Sequence, residues 1–498
     1  MKHKILIVTT ALLMTFGARA QDEITLDSPT LDGFNFSYLG LYGTASYVAR
    51  AGAIGALGGD FTAASYNPAG LGVFYSSRMS ITPVIDYAGT QSEYMGLKTT
   101  ASRTTFKIGS VELLLAMPVT SSENGWRSFQ MGIGINRLKS FNGRSYVKGD
   151  PTLYSMLDVW TNYANDYGLY PDELDAFSSR LAFNTYLMDT LAGGNRHINN
   201  FLEAGEKVRQ ERDYKTTGGI SEIPISFSGN YGDKLYVGAT IGIPILSYNS
   251  SSTYRETSVN TDNYFDYTED CEVSGTGINF KFGAIYRPIE MLRIGLAVHS
   301  PTLYDIKDIY STNIYNSSNN MSSSSVESEY SYNFRTPMKV IASVGATFGN
   351  QSSSIAGSVD VDYEYSNYKN MSFRPIDDYN FNDLDYERWR NNLNSQIDNA
   401  YRSGHTLRVG GSLNVRHWVL RAGMAYYSNP YKEFDVEFKN AQSLSLACGF
   451  GYQTRHFFWD FAYAHSVSKD YEGFVDCPDM IHTNNFINLY MTTLGFKF

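Results

Sequence analysis

Cysteine is scarce: three in 498 residues, at 271, 448 and 477, make no disulfide framework and no C-x-x-C metal site. After residue 20 no apolar run approaches the roughly 18 residues that a helical membrane span needs. Common enzyme motifs are missing too, with no H-E-x-x-H, no G-x-S-x-G and no Walker loop. The eight histidines are scattered, and none forms a pair with ligand spacing. Asp378-Tyr-Asn380-Phe-Asn382 opens like a calcium loop, but Asp383 and Trp389 stand where that loop needs Gly and Glu. The sequence therefore predicts no enzyme, no cofactor and no metal. Asp360 and Asp362 share one parity of a strand-like run and read as lumen salt-bridge partners ahead of a catalytic pair.

Cations are also outnumbered, 40 Lys and Arg against 50 Asp and Glu, and an acidic chain argues against nucleic acid as a partner. Lys2 and Lys4 precede an apolar run from Ile5 to Phe16, and Ala18-Arg19-Ala20 offers a cleavage site, so residues 1–20 read as a signal peptide. Its removal takes three cations and moves the formal charge from -10 to -13. What the chain has in abundance is aromatic side chains, 15% of the residues and 39 of them Tyr, which suit the interface girdles and outer loops of a membrane barrel.

From Met79 onward the pattern is alternation. Leu235, Val237, Ala239, Ile241 and Ile243 oppose Tyr236, Gly238, Thr240 and Gly242, and Leu444, Leu446, Cys448, Phe450 and Tyr452 oppose Ser443, Ser445, Ala447, Gly449 and Gly451. Fourteen such runs are expected, at 79–88, 108–118, 127–138, 221–231, 234–245, 272–286, 291–303, 335–349, 353–366, 405–416, 418–428, 442–454, 457–469 and 485–498. Connections after even strands are short and those after odd strands long, as at 139–220, 246–271, 304–334 and 367–404, which is the loop asymmetry of an outer-membrane barrel. Two of the long connections carry helical spacing: Leu153, Leu157, Trp160 and Ala164 in one, Leu384, Trp389, Leu393 and Ile397 in the other. Ser317 to Ser325 reads as a disordered loop tip. The last run places Tyr490, Leu494, Phe496 and Phe498 on one parity, like the terminal signal read by the outer-membrane insertion machinery.

The expected fold is all-β: a 14-stranded antiparallel transmembrane β-barrel spanning 79–498, with an N-terminal hatch at 21–78 in the lumen and helical outer-loop insertions at about 151–215 and 374–404. With the apolar parity facing lipid, the lumen receives Asp86, Glu112, Lys281, Arg293, His299, Lys339, Asp360, Asp362, Glu364, Arg408, Arg421 and Asp460. Such enclosed charges either satisfy one another and fix the plug or hold the carboxylate of a ligand, with Lys339, Arg408 and Arg421 the candidate contacts.

The Gly- and Ala-rich stretch from Gly55 through Gly72 contains Asn67-Pro68-Ala69 just before the first strand. That motif, with the signal peptide, the strand count and the terminal Phe, resembles the FadL family of outer-membrane transporters of hydrophobic compounds. Ile278-Asn-Phe-Lys-Phe-Gly283 to Tyr286-Arg-Pro288 is similar to Bacteroidetes-type members labelled outer membrane protein transport proteins or haemin receptors. The resemblance implies passive uptake of hydrophobic or amphipathic molecules, such as long-chain fatty acids, by a monomer that exchanges ligand with outer-membrane lipid. It implies lateral release at an inward kink in the third strand, with Asn67, Pro68 and Ala69 packed near it. Gly132, Gly134 and Asn136 share the inward parity there and are the candidate gate residues. Two other readings remain open, a hydrophilic porin and a barrel serving as a surface or secretion partner.

Overall fold

The computed structural model describes residues 28–119, 125–191, 194–349, 355–375, 383–432, 441–472 and 480–498. The signal peptide, the first residues of the expected hatch, Cys477 and the stretch Asp378 to Asn382 lie outside them.

Fourteen antiparallel strands close into a barrel. They run over Arg78–Tyr94, Leu97–Pro118, Trp126–Ser140 with a continuation at Gly143–Lys148, Val208–Tyr231, Leu235–Ser258, Tyr264–Ile289, and Leu292–His299 continuing at Leu303–Asn316. The eighth strand is Ser328–Arg335 and Lys339–Phe348, and the last six are Ile355–Asn367, Ser403–Val415, Trp418–Tyr427, Ser443–Gln453, Phe457–Glu472 and Ile481–Lys497. Closure is the ladder between the first and last strands, from Arg78↔Lys497 to Glu93↔His482. No edge is left along that seam, as a sheet in lipid requires.

Several strands run well past the alternating segments. In the fifth, the outward side chains are Leu235, Val237, Ile241 and Ile245 and then, without a break in the strand, Ser247, Asn249, Ser251 and Arg255. The inward set inverts in the opposite sense, from Gly238 and Thr240 to Leu246, Tyr248 and Tyr254. Leu235 to Ile245, tilted as barrel strands are, rises about 25 Å, the height of the lipid-facing band. The wall above that level stands in water, so its outer face is polar and its inner face apolar.

This inversion corrects the reading of the outer connections. Residues 246–271 and 304–334, expected as loops, are mostly strand, with turns at 259–263 and 317–320. The first two strands meet at a two-residue turn, Met95-Gly96, both with positive φ. Ser317 to Ser325, expected to be disordered, is a turn followed by the strand Met321–Ser324 paired with Asn313–Asn316, because Asn313 Nδ2 bonds across it to Ser324 Oγ at 2.8 Å.

The connection after the third strand folds into a cap. Its helix Met156–Asp166 starts at Ser155, whose side chain accepts from Leu157 N, and buries Leu157, Trp160 and Ala164. Trp160 meets Tyr267 edge-on at 5.2 Å, seating the cap on the tall strands. A second helix, Asp383–Ala400, buries Leu393, Ile397 and Ala400.

Glu256, fully buried at the top of the fifth strand, accepts from Met156 N and Ser155 Oγ, both at 2.6 Å. Burial pushes its carboxyl up to about 7, outweighing those hydrogen bonds. A raised acid favours the folded cap while protonated, so this contribution is complete below the ordinary value near 4.5 and is lost as pH rises through 7. Hydrogen exchange across Met156–Asp166, corrected for intrinsic rate, should show less protection at pH 8 than at pH 5 in the native chain. In Glu256→Gln, which keeps an acceptor and drops the charge, protection should be level.

Inside the barrel the N-terminal segment forms a helix Ser28–Ser37, a short helix Ala45–Ala49 and two 3-10 turns, Phe61–Ser65 and Pro68–Val73. Its small residues let it fold on itself: a Cβ on Gly58, at φ +60°, would lie 2.5 Å from Gly70 Cα. From Leu41 to Leu71 nearly every residue is buried, in one cluster with inward residues such as Val84, Leu114, Ile341 and Leu489.

Candidate functional site

The plug is held by charges of the wall. Asp362 accepts from Ile54 N and Gly55 N, each at 3.0 Å, and Asp360 from Ala56 N at 3.2 Å and Leu57 N at 3.1 Å. Two carboxylates two residues apart on one strand thus face four successive backbone N–H groups. These aspartates therefore serve as amide acceptors and not as the expected salt-bridge partners; the physical reason is that the hatch turn presents donors there, and buried donors must be satisfied.

The three candidate ligand cations already have carboxylate neighbours. Arg408 Nη1 donates to Glu364 Oε2 at 2.8 Å and to the Tyr66 hydroxyl at 2.6 Å, and Lys339 Nζ lies 3.5 Å from Glu364 Oε1. Arg421 Nη1 meets Asp460 Oδ1 at 2.6 Å. Lys281 pairs with Glu222, His299 Nε2 lies 2.6 Å from the Tyr66 carbonyl, and Arg293 donates to the Leu57 carbonyl at 2.9 Å. This layer ties wall to plug at many points.

Asn67 knits the plug itself. Its Nδ2 donates to the Gly55 carbonyl at 2.6 Å and its Oδ1 accepts from Ala69 N at 3.3 Å, with Pro68 opening the following turn. The motif docks on the fifth and sixth strands, not at the third as the resemblance implied. A Cβ on Gly238 would lie 2.4 Å from the Pro68 carbonyl carbon, and one on Gly283 2.0 Å from Asn67 Oδ1. Only glycine in the wall leaves room for so close a backbone approach.

The third strand meets other hatch residues. A Cβ on Gly132 would lie 3.2 Å from Phe61, one on Gly134 would lie 2.8 Å from the same ring, and Asn136 Nδ2 donates to Ser65 Oγ at 3.0 Å. Gly132 and Gly134 stay in register with Leu114 and Glu112 of the second strand, so the wall is intact at the glycines.

The wall breaks just above. The ladder between strands two and three ends at Ser110↔Asn136, and from Leu97 to Ile108 the second strand is paired only with the first among the described strands. Past Asn136 the third strand slips register against the fourth between Arg137 and Lys139 and turns inward at Phe141-Asn142. Its continuation lies across the inner face of the first hairpin: Thr90 Oγ1 donates to the Arg144 carbonyl at 3.0 Å and Asn142 Nδ2 to the Arg103 carbonyl at 3.2 Å. A cavity of about 450 Å³ opens there, lined by Thr100, Ala101 and Ser102 of the second strand and by Arg144 and Tyr146. Phe106, on the unpaired stretch, is 71% exposed on the outer face.

Above the plug the tall strands enclose a packed aromatic cluster that the sequence reading does not anticipate. Phe141, Tyr248, Tyr304, Phe334, Phe373 and Tyr401 are buried in one cluster with Leu393 and Ile397. The N-terminal helix inserts Phe36 among them, 6.1 Å from Phe141, and Phe34 stacks at 5.4 Å on Tyr401. The signal was present as inward-parity aromatics within polar runs, Tyr248 among Ser and Asn and Tyr332 and Phe334 between Ser331, Asn333 and Arg335.

A closed barrel with a lipid-facing band, a lumen filled by a plug, an apolar cluster above it and an unpaired strand edge has the architecture of an outer-membrane transport protein. Residues 238–474 match the family described as outer membrane protein transport protein (OMPP1/FadL/TodX). Over those residues the chain is similar to the FadL/TodX outer-membrane transport proteins, and the barrel as a whole shares their fold. Its fold is similar to that of a Pseudomonas aeruginosa FadL homologue, with 13% identity, a TM-score of 0.54 and coverage of 93% of this chain and 100% of that one. The P. putida toluene transporter TodX is similar over 92% of this chain and 99% of its own, with 11% identity and a TM-score of 0.52. No curated protein sequence matches the chain.

Proposed function

We propose that the protein is a monomeric channel for passive uptake of hydrophobic or amphipathic small molecules, of the size of long-chain fatty acids or related lipids, and that ligand leaves sideways into the membrane past a hatch built on Asn67, Pro68 and Ala69. The observation that carries this reading is the edge left unpaired where the second strand parts from the third beyond Ser110↔Asn136, with Phe106 and Ile108 outward at the top of the lipid-facing band, beside an inward-bent third strand. Backbone edges in a membrane wall are costly unless they line a water-filled or ligand-filled passage. The aromatic cluster above the plug supports the ligand class, since rings that part would bury an acyl chain or ring without demanding polar partners. The plug, filling the lumen at mid-height, disfavours a straight aqueous path and with it the porin reading.

Filling the break tests it. Ala101→Trp places an indole in the cavity without touching the plug or the aromatic cluster. Uptake of a labelled long-chain fatty acid by liposomes holding the purified barrel should fall at least fivefold, with heat-modifiable gel mobility unchanged. Native-level uptake in that variant would remove the side exit. Sugar flux through the unaltered barrel would favour the porin, and a barrel carrying neither solute would leave a partner-binding role.

A further inference from the structure

At the periplasmic end, below the plug, lies a second cavity of about 190 Å³, roomy enough for roughly six waters at about 30 Å³ each. Four cations line it, Arg50, Arg78, Arg421 and Lys497, against three carboxylates, Asp60, Glu112 and Asp460. The carboxylates are unequally engaged. Asp60 accepts from Thr44 Oγ1 at 2.6 Å, from Ser46 and from Thr62 N at 2.8 Å, and Asp460 is taken by Arg421. Glu112, 4% exposed, has one oxygen, Oε2, that is buried with no hydrogen-bond partner.

The cations retain spare donors. Arg50, itself buried, commits its Nε to the Ser46 carbonyl at 3.2 Å. Lys497 has a contact of 3.5 Å to Gln453 Oε1. Arg78 is the most telling: its guanidinium lies 3.9 Å from the Phe74 ring centroid and 5.2 Å from that of Phe458, and its Nε is buried without a partner. Two rings fix the plane of the fork and leave its donor edge uncommitted, the preparation a bidentate oxyanion site needs.

We propose that this vestibule binds an oxyanion that still carries an O–H above neutral pH, which inorganic hydrogen phosphate does and a phosphate monoester does not. The oxyanion accepts from Arg78 and Arg50, and its hydroxyl donates to Glu112 Oε2, which would repel an anion lacking that proton. The site faces the periplasm and stands apart from the side exit, so it does not depend on the route taken by a hydrophobic ligand.

Titration calorimetry on the full chain in detergent at pH 8 tests this with inorganic phosphate, glycerol 3-phosphate and sulfate at constant ionic strength. Phosphate should bind saturably and sulfate, with no proton to offer, at least tenfold more weakly. Arg78→Gln should weaken phosphate at least tenfold, whereas Glu112→Gln should admit sulfate and abolish the discrimination, an effect that a merely structural role would not produce. Glycerol 3-phosphate, which has lost its last proton at that pH, should bind as weakly as sulfate, and a monoester binding tighter than inorganic phosphate would overturn the role given to the O–H. Absence of saturable phosphate binding, or equal affinity for sulfate in the native protein, would overturn the proposal.

Discussion

Replacing Asp362 with Ala will open the lumen to small polar solutes while the barrel stays folded. Ile54 N and Gly55 N each lose a carboxyl acceptor at 3.0 Å, and the plug around them is too tightly packed to offer another. An intramolecular hydrogen bond contributes about 0.5–1.5 kcal/mol net, so removing both shifts the plug's docking equilibrium by roughly one to two powers of ten. Asp362→Asn, which retains one acceptor, should shift it far less. The Asp360→Ala, Asp362→Ala pair frees all four amides from Ile54 to Leu57 and should show the largest conductance. In planar bilayers the native channel should be quiet, the single Ala variant should flicker and the double variant should hold open. The strand ladders do not involve these side chains, so heat-modifiable mobility should remain native in all three. Quiet bilayers from the double variant would mean that the plug is held by apolar packing, and that the aspartates are incidental to it.

The anchoring explains why some of this molecule was legible in its sequence and some was not. Wall segments such as Leu235 to Ile245 meet lipid on one face and a plugged lumen on the other, so both environments print on alternate residues and every one of the fourteen strands could be placed. Above Ile245 the two environments exchange sides. The apolar set moves to the inner parity, the signal weakens to scattered tyrosines, and a paired strand reads as a loop. Contacts between plug and wall leave no local trace at all. Ile54 and Asp362 are joined across 308 residues, and Asp360-Val-Asp362 looks the same whether it faces guanidinium groups or backbone amides. Likewise Gly238 and Gly283 read as small lumen-facing residues, and only the fold shows that Asn67 and Pro68 occupy the space they leave. The wall break is a further case: Gly132 and Gly134 drew attention as flexible positions, yet they serve Phe61, while the chain departs from the wall beyond Asn136.

The second large effect is expected at Glu364, because one carboxylate serves two buried cations. Arg408 donates to one of its oxygens at 2.8 Å and Lys339 lies 3.5 Å from the other, and all three side chains are buried. Glu364→Ala leaves two uncompensated positive charges inside the barrel, and breaking a buried pair from one side costs about 3–5 kcal/mol. The urea midpoint for unfolding from lipid vesicles should drop accordingly, and Glu364→Ala with Arg408→Met should recover part of the loss, since it removes one of the stranded charges together with its partner. The same variant decides what the cations are for. If Lys339 and Arg408 can accept the head of an amphipathic ligand once Glu364 is gone, a long-chain carboxylate should restore stability to Glu364→Ala in a saturable way, and the matching alcohol should not. Rescue by the acid alone would make Glu364 the internal competitor that a ligand displaces on its way past the plug. Equal effects of acid and alcohol would confine the two cations to holding Tyr66 and the wall together, and would leave ligand recognition to the aromatic residues above.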